Sequence, residues 1–142
     1  MTLSVEEKID LSRYRMEKAK KMLHDASTLF HDGSYESSVN RSYYAILSAS
    51  KALLILRGID PETHEGVKTM LSKEFIKTGL LPKEFGETFR SLQSRRADSD
   101  YGDYIEMTRE EADDSFKRAG DFIRQVENIV EKLIKEISSP SQ

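Results

Sequence analysis

The chain contains no cysteine, which excludes disulfides, thiolate nucleophiles and Cys-ligated metals. Long hydrophobic runs are also missing. The most apolar stretch, residues 45–56, is interrupted by Lys51 and falls well short of the roughly 20 residues a membrane helix needs. The N-terminal Met-Thr-Leu-Ser-Val-Glu-Glu-Lys has neither the basic nor the apolar region of a signal peptide, so a cytoplasmic protein without membrane association is expected. No excess of one charge dominates: 22 Lys and Arg stand against 25 Asp and Glu, for a net charge of −3. A nucleic-acid binder with this balance needs a local basic patch. Histidine occurs three times and never after His64. His24 and His31 share a helical face but stand about 10 Å apart along it, too far for one ion. His64 has no ligand motif around it, and no metal or cofactor is expected.

What is present points to helices. A chain of 142 residues suffices for one domain that buries roughly two-thirds of its unfolded surface. Its 37% hydrophobic and 33% charged residues suit long amphipathic helices, which need only one apolar stripe each. Ser4 and Glu7 form a capping-box pattern, after which Ile9, Met16, Ala19, Leu23, Ala26 and Phe30 recur at helical spacing. Gly33 and Ser34 separate this helix from a second, whose inward residues are Tyr35, Val39, Tyr43, Ile46, Ala49 or Ser50, Leu53 and Leu56. Small residues in that helix, among them Ser42, Ala45, Ser48 and Ala52, predict close approach by its neighbours.

Asp60-Pro61 is expected to open a third helix ending at Gly79, and Leu81-Pro82 a fourth carrying Phe85, Phe89 and Leu92 inward. Residues 97–104 read as a turn-rich acidic loop. Thr108 with Glu111 makes a second capping box, with Met107 and Ala112 as its hydrophobic staple. The last helix shows Ala112, Phe116, Ala119, Ile123, Val126, Val130, Leu133 and Ile137 at alternating spacings of four and three, a seam about 40 Å long. No strand signal or solenoid repeat is visible. The sequence thus predicts one all-α domain over residues 1–142, an up-and-down bundle of four to five antiparallel helices, with residues 138–142 frayed.

Candidate sites are few. Counting from Asp98, the acidic loop puts Gly102 at position five and Arg109 at twelve, whereas a calcium-binding EF-hand needs Gly at six and Glu at twelve. Basic residues gather at Arg13, Arg15, Lys18, Lys20 and Lys21; at Arg41 and Lys51; and at Arg90, Arg95 and Arg96. Guanidinium forks suit phosphate. Yet Arg95 and Arg96 also suit a helix C-terminus and ion pairs with Asp98, Asp100 or Asp103, the more ordinary role for such a pair. Tyr43 suits the core, and Arg41 suits a carboxylate of the last helix or of the acidic loop.

Four segments, Arg41-Ser42-Tyr43-Tyr44-Ala45, Thr63-His64-Glu65-Gly66-Val67, Phe75-Ile76-Lys77-Thr78-Gly79 and residues 95–104, together resemble short prokaryotic HEPN-domain proteins over nearly the whole chain. The resemblance implies a bundle of four or five helices, two-fold dimers and work on nucleotides or RNA, often with a small nucleotidyltransferase as the partner in a toxin–antitoxin pair. Ribonuclease members carry an Arg followed after four to six residues by a His, and the pairs from two subunits cleave RNA without metal. Here Arg95 or Arg96 matches the Arg, but Tyr101 or Gly102 stands where the His belongs. A tyrosine of pKa about 10 moves protons poorly near neutral pH. The expected protein is therefore a non-catalytic, homodimeric interaction module. It binds a nucleotidyltransferase partner or a nucleotide or RNA phosphate through Arg41, Tyr44, Arg95 and Arg96. The alternative is a weak metal-independent ribonuclease using Arg95, Arg96 and Tyr101 or Tyr104.

Overall fold

A computed structural model describes residues 2–101 and 106–138, apart from the side chain of Tyr101. Five α-helices follow in order: α1 (Val5–His31), α2 (Tyr35–Ile55), α3 (His64–Leu71), α4 (Glu84–Tyr101) and α5 (Arg109–Ser138). A π-helical turn, Ser72–Ile76, extends α3. No strand occurs among the described residues.

Side-chain contacts fix the directions. Ser12 and Ser48 link the far end of α2 to the early turns of α1, while Ser38 reaches the late α1 residue Ala26, so α1 and α2 run antiparallel. Arg13 pairs with Glu131, and Phe30 stacks near Phe116, which sets α5 antiparallel to α1. Phe85 meets Phe122 while Arg95 meets Asp114, which sets α4 antiparallel to α5. The four long helices form an up-and-down bundle, with α3 inserted between the second and third.

Small residues let α1 and α2 approach closely, and their hydroxyls fasten the approach. Ser12 Oγ donates to the Ala52 carbonyl at 2.6 Å, Ser48 Oγ to the Arg15 carbonyl at 2.8 Å and Ser38 Oγ to the Ala26 carbonyl at 2.7 Å. A buried hydroxyl that finds a partner contributes roughly 1 kcal/mol instead of costing as much or more. Ser42 departs from this pattern: it is wholly buried, and its Oγ has no hydrogen-bond partner among the described residues. Between residues 42 and 55 every side chain of α2 is buried except those of Tyr44 and Lys51, which are half-buried.

Both expected capping boxes form. Ser4 Oγ accepts the Glu7 amide at 3.1 Å, and Thr108 Oγ1 accepts the Glu111 amide at 3.1 Å. Met107 and Ala112 are buried together with Phe30 and Val39, completing the staple of the second capping box. Gly33 takes φ +84° at the end of α1, a conformation that favours glycine.

Three sequence expectations change. The third helix begins at His64 rather than at Asp60-Pro61, because the Thr63 hydroxyl caps it by accepting the Gly66 amide at 2.9 Å. The fourth begins at Glu84 and runs through residues 97–101, which the sequence reads as loop. There Asp100 pairs with Arg96 one turn back, at 3.0 Å, instead of turning the chain. The rest of that acidic stretch, residues 102–105, lies outside the described residues, as do residues 139–142 of the expected frayed tail. The buried stripe of α5 is also wider than a two-position seam. Ser115, Phe122 and Ile134 are buried and Phe116, Leu133 and Ile137 only half-buried, because α5 packs against α1, α2 and α4 at once.

Candidate functional site

Tyr43 and Tyr44 of α2, His64 at the first turn of α3, and Arg96 of α4 meet at one place. Tyr43 is wholly buried, with its ring edge-on to Phe89 at 6.0 Å between centroids. Its hydroxyl shares a hydrogen bond of 3.0 Å with His64 Nδ1. Tyr44 lies edge-on to both Tyr43 and His64, with centroids 5.3 and 5.8 Å away. The Thr63 cap places His64 here, since it fixes the residue at which α3 starts.

Arg96 closes the cluster from α4. Its Nη2 donates to Tyr44 Oη at 2.8 Å, and its guanidinium carbon lies 5.4 Å from the Tyr44 ring centroid and 5.8 Å from that of Tyr43. Asp100 Oδ2 stands 3.0 Å from Nε, yet Nε has no hydrogen bond: the two are close in charge but misaligned for donation. A guanidinium carries five N–H donors. Among the described residues Arg96 uses one of them in a hydrogen bond, and its side chain keeps 21% exposure.

The charges act on the neighbouring rings. Burial pushes the Tyr43 phenol up to about 12, a rise that exceeds the opposing pull of Arg96, so this hydroxyl keeps its proton. Burial and then the Arg96 and Lys51 cations hold the His64 imidazole below its ordinary value. His64 is therefore neutral at pH 7, with Nδ1 engaged by Tyr43 and Nε2 unbonded among the described residues.

The neighbouring Arg95 faces elsewhere. Consecutive helical residues point about 100° apart, and Arg95 Nη1 turns to α5, donating to Asp114 Oδ2 at 2.7 Å and Ser115 Oγ at 2.9 Å. It ties α4 to α5. Arg41 is exposed and has no ion pair among the described residues, neither to α5 nor to Asp100. It lines an open cavity of about 470 Å³ together with Asn40, Ser99 and Asp100, so Asp100 borders both this cavity and the Arg96 guanidinium. Tyr104 and the side chain of Tyr101 lie outside the described residues.

Of the expected phosphate-binding set, the structure brings together Tyr44 and Arg96, leaves Arg41 on a separate cavity that Asp100 also lines, and turns Arg95 away. Sequence reasoning missed His64, and Tyr43 as its hydrogen-bond partner. The available signal was the Thr63-His64-Glu65-Gly66 segment, whose Thr marks a helix start and so fixes the His beside it. Among the described residues no three His, Asp or Glu side chains gather as a metal site.

The HEPN domain family model matches residues 12–129, and the chain belongs to that family. It is 33% identical over 127 residues to a UPF0332 protein of Thermotoga maritima, covering 89% of this chain and 96% of that one. It is 39% identical over 98 residues to a Methanocaldococcus jannaschii protein bearing the name "Putative toxin MJ0142", covering 69% of this chain and 67% of the relative. Among solved structures, TT1696 from Thermus thermophilus superposes with a TM-score of 0.71 at 22% identity, over 82% of this chain and 96% of that one, which shows a common fold.

Proposed function

We propose that this chain is the HEPN component of a toxin–antitoxin-type system, a homodimer that holds a nucleotide or RNA phosphate at Arg96, Tyr44 and His64 and answers to a nucleotidyltransferase partner. One observation carries the reading. Arg96 is fixed by Tyr44 at 2.8 Å beside a neutral His64, and most of its N–H donors are unspent. A guanidinium fixed in this way is pre-organised for a phosphate, and binding it adds charge-assisted hydrogen bonds. The toxin name of the M. jannaschii relative and the family itself support the setting.

A labelled single-stranded RNA titrated at several salt concentrations tests the site. Arg96→Ala is expected to weaken binding about tenfold and to lower the salt slope by about one, as loss of a phosphate contact does. Equal affinity in wild type and variant would remove Arg96 from the site. In light scattering at low micromolar concentration the expected mass is twice the 16.3 kDa of the chain, and a value near 16.3 kDa would count against the dimer.

A second reading has one observation in its favour. His64 supplies a neutral imidazole beside Arg96, although it precedes the arginine in sequence and so escapes the ribonuclease spacing. We expect no cleavage of the same RNA in chelator. Chelator-resistant cleavage that His64→Gln abolishes would establish the ribonuclease, with His64 rather than Tyr101 or Tyr104 as the group that moves the proton.

A further inference from the structure

On the side of His64 and Tyr44 formed by α1 and α2, a second cavity opens, about 410 Å³ in volume. Its size falls in the range of small-molecule sites. Leu11 and Leu47 contribute apolar surface, and Tyr14 stands at its rim with 66% of its surface exposed. Arg15, Lys18 and Lys51 supply positive charge. No carboxylate among the described residues lines it, although the chain as a whole carries more acidic than basic groups.

The cations of α1 and α2 separate into two kinds at this point. Arg13 pairs with Glu131 at 3.1 Å, Lys20 pairs with Glu127, and Arg15 is drawn aside by Asp60 at 3.1 Å. Lys18 and Lys51 have no ion pair among the described residues, and both line the cavity. Tyr44 and Lys51, the half-buried side chains in the otherwise buried stretch of α2, lie seven residues apart on the same face and open onto this cavity. An exposed aromatic, two unneutralised ammonium groups and an apolar wall make the combination that holds a base and its phosphate together.

We infer that this cavity is a nucleotide subsite, in which Tyr14 stacks on the base, Lys18 and Lys51 take its phosphate, and the shared wall of Tyr44 and His64 passes the strand to Arg96. The inference rests on the phosphate reading of Arg96 and extends it from one phosphate to the adjoining nucleotide. The ligand chemistry is a nucleoside monophosphate, whether free or as a unit of single-stranded RNA.

The test compares Tyr14→Ala, the double variant Lys18→Gln with Lys51→Gln, and Arg96→Ala. Each is titrated with a labelled single-stranded oligoribonucleotide and with adenosine 5′-monophosphate, after circular dichroism has shown native helicity. Tyr14 and Lys18 are exposed, so their replacement leaves the core alone. Tyr14→Ala and the double lysine variant are each expected to weaken binding on the order of tenfold. Saturable mononucleotide binding that depends on Tyr14 assigns the subsite to free nucleotide, and loss confined to the oligonucleotide assigns it to a strand; both support the inference. RNA affinity that falls with Arg96→Ala and with neither of the others overturns the subsite and leaves the phosphate reading standing. Loss with the lysines but not with Tyr14 also overturns it, since charge alone then explains binding. Failure of wild type to bind either ligand takes the phosphate reading down as well. A change in molecular mass on Tyr14→Ala without ligand would make this face a protein interface and overturn the subsite.

Discussion

Val126→Asp is expected to abolish cooperative folding at 25 °C. Val126 is wholly buried in the middle of α5, where the helix faces the core shared by α1, α2 and α4. A carboxylate there would sit within the buried apolar cluster. Burying it costs several kcal/mol, while a domain of this size is stable by about 5–15 kcal/mol in all. Circular dichroism during urea titration reads the effect directly. Val126→Ala, which leaves a void without a charge, is expected to cost about 2 kcal/mol and to keep a single sharp transition. An aspartate variant that melts within a few degrees of wild type would mean that the buried face of α5 is assigned wrongly.

Phe89→Ala is expected to destabilise the domain by about 3–5 kcal/mol, the usual result of emptying a buried aromatic site. Its second effect distinguishes it from an ordinary core substitution. Phe89 is wholly buried and its ring backs that of Tyr43, which in turn holds His64 at 3.0 Å. With the backing gone, Tyr43 gains room to turn and the imidazole loses its fixed partner. Phe89→Leu keeps more of the volume and is expected to cost less. The two variants, compared by urea midpoint and by RNA affinity measured well below the midpoint, separate the effects. If affinity is unchanged in Phe89→Ala while stability falls, the Tyr43–His64 contact has no part in binding.

Much of this architecture could be read from the sequence because it depends on local chemistry. Ser4 with Glu7 and Thr108 with Glu111 announce helix starts, and the spacing along residues 112–137 announces a long buried face. Where several local signals compete, the reading fails. Pro61 permits a helix start, but the Thr63 hydroxyl lies nearer the ordered turn and sets the start three residues later. Asp98 and Asp100 look like turn formers until the side chain of Arg96 is known to be one helical turn from Asp100. The site was legible as a set of segments and not as an arrangement. Nothing in the run Arg95-Arg96 says which guanidinium meets Tyr44, because that depends on the rotation of α4 against α2 and α5. His64 was invisible for the same reason, since its partners lie 21 residues before it, at Tyr43, and on α4.

The three serine contacts between α1 and α2 bear on how the chain is made. All of them join residues within the span 12–52, so the first two helices contain every donor and acceptor they need to clasp one another. A polypeptide emerging from the ribosome presents the residues of all three contacts while α5 has yet to be synthesised. Vectorial synthesis delivers domains and subdomains from the N-terminal end first. The apolar stripe of α5, made last, packs on two helices that precede it in the chain. Chain order thus lets the α1–α2 contact form before α5 arrives.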